Sequence, residues 1–289
     1  MREAIVVGVA QWLPSPGRPA ANLATALGLA TELARRGADL VVLPELWPCG
    51  YNPATLARDV AEAAEPIDGP RSLALADRAR DLGVWLAAGS VPEAPSGADA
   101  AGPIYNTALL FDRRGRLRAW HRKAHLYSPT SEDKIFAAGD RLTTCQTGEL
   151  GVVGLTVCFD GDFPEVGRAL RDAGADLVIQ PSAYEIEAAD WWDRLYPAVA
   201  LANGQWWVLA NQCGANASGT LLGRSQVISP FGEVVAGARS VAAGQEPEAE
   251  LLVVPVALRR SCRDAARSNG ALWQLRRGGL RVHRFEGDD

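Results

Sequence analysis

The amino-acid sequence predicts an α/β protein built as a four-layer α-β-β-α sandwich of two pseudo-equivalent mixed sheets. Three observations lead there. The segment "RGADLVVLPE" (36–45) matches "AGADLVIQPS" (173–182) almost residue for residue. Each copy is preceded by a helical pattern and, before that, by an apolar strand. The strands are apolar on both faces and alternate with helices, as buried sheet requires. Gly-Ala-Asp is also a common helix-to-strand turn in its own right, but the aligned flanking strands argue against coincidence. Two such halves, each with helices on one sheet face, bury their remaining faces on each other.

The elements follow in order. "IVVGVAQ" (5–11) is the first strand, "NLATALGLATELARR" (22–36) its helix, and "LVVLPE" (40–45) the second strand. "GVWLAAGS" (83–90) reads as a third, and "RLRAW" (116–120) as a later one. The second half repeats the plan with "GVVGLTVC" (151–158), "EVGRALRDA" (165–173) and the matched strand, and "GQWWVLANQ" (204–212) echoes the third. "TLLGRSQVIS", "GEVVAGA" and "AELLVVPVAL" read as antiparallel additions, with "SPFG" turning between the first two. Residues 1–257 are expected to form one domain, and 258–289 a C-terminal helix or tail packing on it or on a partner subunit. "PEAPSGADAAGP" (92–103), rich in Pro, Gly and Ala, reads as a floppy segment.

Bulk properties narrow the function. The 289 residues are 48% hydrophobic and 22% charged, an ordinary globular composition long enough for a dry core. A net charge of −5 argues against a general nucleic-acid binder, which needs a basic face. No apolar run approaches the roughly 20 residues of a membrane span, and "MREAIVVGVAQW" lacks the features of a signal sequence. Five cysteines, odd in number and without CxxC spacing, read as reduced thiols of a cytoplasmic protein.

Ligands of α/β sheets gather beyond the carboxyl ends of strands, and three features fall there. Glu45 ends "LVVLPE", where a carboxylate after an apolar run needs water or a partner. Cys158 ends "GVVGLTVC", and the acidic Asp160 and Asp162 that follow would raise its thiol pKa. "WHRKAHLYSP" (120–129) supplies His121, Lys123 and His125, and a cation beside a thiol favours the thiolate. The residues alone leave alternatives open: a capping role for Glu45, a core thiol at Cys158, a solvated Lys123. His121 and His125, at helical i, i+4 spacing, could ligate zinc, but no HExxH glutamate accompanies them and Pro129 follows. A papain-like Cys158–His125 pair lacks any local signature. No metal or other cofactor is expected.

In this order, "LPELWPCGY" (43–51), "HRKAHL" (121–126) and "CFDGDFPE" (158–165) resemble the nitrilase superfamily of carbon–nitrogen hydrolases, in its amidase/carbamoylase-like branch. The resemblance runs from "VAQW" (9–12) to "GRSQVISPFGEVVA" (223–236). It implies a Glu45–Lys123–Cys158 triad, the α-β-β-α sandwich, and a homodimer or higher homo-oligomer. "SEDKIFAAGD" (131–140) matches the segment carrying a second glutamate, so Glu132 is implied to orient Lys123 or the substrate amide; an exposed loop carboxylate is the alternative. "SAYEIEAADWW" (182–192) is implied to flank the site. Tyr184, Glu185, Trp191 and Trp192, with Tyr51 of the first motif, are therefore expected at the substrate; ordinary packing is the alternative for the aromatic residues.

The resemblance also implies roles. Cys158 would attack an amide carbonyl to give a thioester, with Glu45 as general base. Lys123 and the Phe159 backbone N–H would stabilise the oxyanion. Asp160 and Asp162 are expected to cap the helix that starts near Pro164 or to stand in the pocket. True nitrilases typically carry Trp-Glu-His after the cysteine, whereas Phe159, Asp160 and Gly161 stand here, which points to a small carboxamide releasing ammonia or an amine. N-carbamoyl hydrolysis and acyl transfer or glutamine-amide cleavage are alternatives; a nitrilase or an inactive scaffold is less favoured. Pro197, where the family usually has arginine, removes a cation and argues against carboxylate-bearing substrates, and the acidic residues of the 182–192 segment point to a neutral or amine-bearing amide.

Overall fold

Along the second strand, Leu40 and Val42 point one way and Val41 and Leu43 the other, and all four are fully buried. A strand buried on both faces must lie inside a layered structure. The computed structural model describes residues 2–96, 102–216, 219–240 and 247–268. Part of the 92–103 segment and the chain beyond Ser268 lie outside these.

The first half runs β1 (Ile5–Gln11), α1 (Pro19–Arg35), β2 (Leu40–Val42), α2 (Leu56–Ala63), α3 (Pro70–Leu82), β3 (Trp85–Glu93), β4 (Tyr105–Phe111) and β5 (Leu117–Arg122). After the one-turn α4 (Glu132–Ile135) come β6 (Thr143–Gln146), β7 (Val152–Leu155), α5 (Pro164–Asp172), β8 (Leu177–Ser182), α6 (Ala189–Asn203) and β9 (Trp206–Asn211). A hairpin of β10 (Cys213–Asn216) and β11 (Gly219–Leu222) precedes β12 (Gln226–Ile228), β13 (Val234–Gly237), β14 (Glu250–Val256) and α7 (Leu258–Ser268).

Two six-stranded sheets result, in the orders β14-β1-β2-β3-β4-β5 and β13-β12-β9-β8-β7-β6. The central strands β1, β2 and β3 are parallel, as are β7, β8 and β9, and antiparallel strands flank each trio. The internal echo is therefore a structural repeat, and the expected fold class is the one observed. The sheets face each other through Val7, Val9 and Val42 on one side and Leu155, Ile179 and Val208 on the other. Leu33 of α1 and Leu75 of α3 cover the outer face of the first sheet. Leu170 of α5 with Trp192 and Tyr196 of α6 cover that of the second. Burying such side chains contributes about 1.5–3 kcal/mol each. Helix α7 sets Leu258 and Cys262 into the inter-sheet core. No helix among the described residues is long and apolar enough to cross a membrane.

Candidate active site

Glu45 lies three residues beyond β2 and is wholly buried. Its backbone is gripped from both halves of the protein. Glu45 N–H donates to Ser182 O (3.4 Å), and Gln212 Nε2 donates to Glu45 O (2.7 Å). Beneath it β3 is irregular at Gly89, whose φ is +67° and where a Cβ would sit 2.0 Å from Pro44 O. Only glycine fits that crossing.

Lys123 follows β5 and is equally buried; its N–H donates to Asn106 O (2.8 Å) and its carbonyl accepts from Gly139 N–H (2.8 Å). The ammonium donates to Glu45 Oε1 (2.9 Å) and lies 2.9 and 2.8 Å from the two oxygens of Glu132. Glu132 is itself wholly buried and accepts from Tyr51 OH (2.8 Å) and Tyr127 N–H (2.9 Å), so it is no exposed loop carboxylate. Asn106 Nδ2 donates to Glu45 Oε1 as well (2.8 Å). Glu45 Oε2 is buried with no hydrogen-bond partner among the described residues.

The charges set the protonation states. Burial raises the Glu45 carboxyl and Glu132 pushes it further, with Lys123 and Asn106 opposing. Burial pulls Lys123 down, but the Glu132 and Glu45 carboxylates outweigh it and hold the ammonium well above its ordinary value. The two carboxylates thus favour the charged form of Lys123. Buried ion clusters rarely stabilise a fold once desolvation is counted; a set like this one marks a site of chemistry.

Cys158 lies past the end of β7, at the start of a 3-10 turn (Cys158–Asp162), with φ +46°. That backbone region is costly for a residue with a Cβ, and such strain concentrates at functional sites. The residue lines a cavity of about 620 Å³ together with Lys123, Glu132 and Tyr51. Burial raises its thiol pKa well above the ordinary value and the Glu45 charge adds to this, while Lys123 and the Ala183 backbone N–H pull it back. The resting group is therefore a thiol. All five cysteines are free and buried, and among the described residues the other four do not line this cavity.

The two aspartates do not cap α5, which starts at Pro164 with no side-chain cap. Asp160 instead accepts the backbone N–H groups of Ala124, His125 and Val157 (3.0, 2.9 and 3.0 Å). It also bonds His121 Nε2 and His125 Nδ1, each at 2.9 Å. The histidines with zinc-ligand spacing thus share one carboxylate, and His121 belongs to a strand rather than a helix. His125 further stacks on Phe163 at 4.1 Å. Asp162 accepts from Tyr184 OH (2.6 Å) and Tyr196 OH (2.7 Å). At Gly161 a Cβ would lie 2.0 Å from Gln180 Oε1, which ties that glycine to close packing under the turn.

Tyr51, Phe159, Tyr184, Glu185 and Trp191 all line the cavity. Trp192 does not: it is wholly buried against Tyr184 and Tyr196, and its Nε1 donates to Arg224 O. The indole packs inward because Trp191 and Trp192, adjacent on a helix, face different sides. Sequence reasoning missed Asn106 and Tyr127: Tyr127 stands in the 120–129 segment but nothing there sets it apart, and Asn106 sits in no motif, so that only the fold brings it to Glu45, 61 residues away.

Fold and site together define an enzyme that acts on carbon–nitrogen bonds. The chain belongs to the carbon-nitrogen hydrolase family, whose model matches residues 6–261. It is similar to human deaminated glutathione amidase, at 33% identity over 243 residues, 80% of this chain and 72% of the relative. Among solved structures it resembles Saccharomyces cerevisiae Nit3, a member of branch 10 of the nitrilase superfamily. That match has a TM-score of 0.81 at 26% identity, covering 93% of this chain and 95% of that one. It also resembles a mutant of the amidase from Nesterenkonia sp. AN1 showing covalent addition of the acetamide moiety of fluoroacetamide at the active-site cysteine. There the TM-score is 0.75 at 28% identity, over 94% and 98% of the two chains.

Proposed function

We propose that the protein hydrolyses a small carboxamide through a thioester on Cys158, with Glu45 as the proton carrier and Lys123 as the oxyanion's counter-charge. The observation that carries the reading is the buried Glu45 Oε2, without a partner among the described residues, on a carboxylate whose other oxygen is held by Lys123 and Asn106. A carboxylate oxygen left free, on a group whose charge acts on the Cys158 thiol, supports Glu45 as the base.

The steps balance. Glu45 takes the Cys158 proton as sulfur bonds to the carbonyl carbon, and the oxygen becomes an oxyanion facing the Lys123 ammonium, with the Phe159 N–H as second donor. The C–N bond breaks as Glu45 gives that proton to the leaving nitrogen, releasing ammonia or an amine. Water then gives a proton to Glu45 and attacks the thioester; the carbonyl reforms, the acid leaves, and sulfur recovers its proton. Glu132 holds Lys123 in place, while Tyr51, Tyr184, Glu185 and Trp191 contact the acyl portion.

Incubation with a panel of carboxamides and N-carbamoyl amines, read by ammonia release and intact mass, tests this. The wild type is expected to show a Cys158 acyl adduct on rapid quench, absent from Cys158→Ala. Ammonia release that survives Cys158→Ala would sink the nucleophile assignment.

We further place the protein in the cytoplasm as a homodimer or larger homo-oligomer. Five free thiols support the first. The exposed Leu201, Phe231, Val234 and Val235 support the second. Light scattering of the full chain checks the assembly, and a monomer at micromolar concentration would count against it.

A further inference from the structure

The cavity over Cys158 is charged in an uneven way. Lys123 is the one Lys or Arg among its described lining residues, and its charge is taken up by Glu45 and Glu132. Four further carboxylates line the same space: Asp162, Glu185, Glu187 and Asp190. Two of them have partners. Asp162 accepts from Tyr184 and Tyr196, and Asp190 faces Arg194 at 3.4 Å. Glu185 and Glu187 have neither an ion pair nor a side-chain hydrogen bond among the described residues, and the charge of Glu187 acts directly on Glu185.

Glu185 is the better placed of the two. It is half-buried, and its backbone is pinned by a bridge to Leu221, next to the Leu222 N–H to Tyr184 O hydrogen bond of 2.7 Å. Glu185, Cys158, Asp162 and Tyr127 all line this one cavity. Between them stand aromatic faces, Tyr127, Tyr184 and the half-exposed Trp191. Unpaired carboxylates next to aromatic rings attract a cation and repel an anion.

Resting on the amidase reading, we propose that the preferred substrate is a carboxamide whose acyl chain ends in a cation, a protonated amine or a guanidinium, with Glu185 as its counter-charge. The reacting carboxamide lies at Cys158, and the cationic end lies between Glu185 and the aromatic side chains. A terminal carboxylate in that place would meet Glu185 and Glu187 with nothing to offset them.

The test is kcat/KM for carboxamides of equal chain length ending in ammonium, methyl or carboxylate, at low and high salt. The expected result is a preference for ammonium over methyl of about tenfold, and a larger one over carboxylate. Salt should shrink the ammonium advantage while leaving the methyl-terminated amide nearly unaffected. In Glu185→Gln the ammonium-to-methyl ratio should fall to within about twofold, against a control ratio in Glu62→Gln equal to that of the wild type. Carboxylate-terminated amides turned over as fast as ammonium-terminated ones would overturn the charge assignment and leave the amidase reading standing. No turnover of any member, with Cys158 intact, would overturn the amidase reading itself.

Discussion

Asp160 Oδ1 accepts the His125 backbone N–H at 2.9 Å, and through this bond the turn that carries Cys158 is joined to the segment that carries Lys123. The same carboxylate gathers Ala124 N–H, Val157 N–H and both histidine rings. Cys158 and Lys123 thus share one buried anchor. Burial would raise the Asp160 carboxyl, but His121 and His125 hold it below the usual carboxylate range.

Asp160→Asn should therefore cost about 3–5 kcal/mol, because it leaves buried donors facing a group that can no longer accept from all of them. A depressed carboxyl contributes stability above its unfolded pKa of 3.8 and loses it as pH falls through the folded value. Guanidinium melts of both proteins should diverge most near neutrality and draw together in acid. A gap that is constant with pH would contradict the assignment.

The pH profile of amide hydrolysis follows from Glu45. The base must be ionised to take the thiol proton, and its pKa is raised above 4.5, so the acid limb of kcat/KM should have its midpoint above that value. A midpoint at or below 4.5 would speak for another base. Alkylation of Cys158 by iodoacetamide should still be accelerating above pH 9.0, since its thiol pKa is raised well beyond that.

Lys123→Met removes the cation between two buried carboxylates. Turnover should fall by at least about 10²–10³, the usual effect of losing an oxyanion donor. Stability should fall by about 3–5 kcal/mol, as in other broken buried pairs. A variant with normal kcat but raised KM would limit Lys123 to substrate binding.

Gly161→Ala tests the packing under the turn that carries Cys158. The added methyl would meet Gln180 Oε1, which accepts from Thr156 Oγ1 (2.9 Å) while Gln180 Nε2 donates to Tyr196 OH (2.7 Å). With its neighbours buried, the clash should cost about 1–3 kcal/mol and displace the turn of Cys158. Chemical denaturation beside the rate of Cys158 alkylation separates the two effects, and an unchanged protein would show that the turn can yield.

By itself the sequence determined the repeat, the two mixed sheets, the layer order and the enzyme class. Those rest on local periodicity, on the matched segments at 36–45 and 173–182, and on short motifs, all written in neighbouring residues. It also singled out Glu45, Lys123, Glu132 and Cys158 as chemically notable. Only the tertiary structure decided how they meet. Glu45 and Lys123 are 78 residues apart, Asn106 and Glu45 are 61, and His125 and Asp160 are 35. Strand pairing and sheet packing, not local pattern, bring such groups within 3 Å. The same holds for the orphaned Glu45 Oε2, the inward Trp192, the tyrosines on Asp162 and the acidic mouth of the pocket. Hydrogen bonding and charge depend on distance in space, and a chain folded through long-range contacts leaves little of that distance in its linear order.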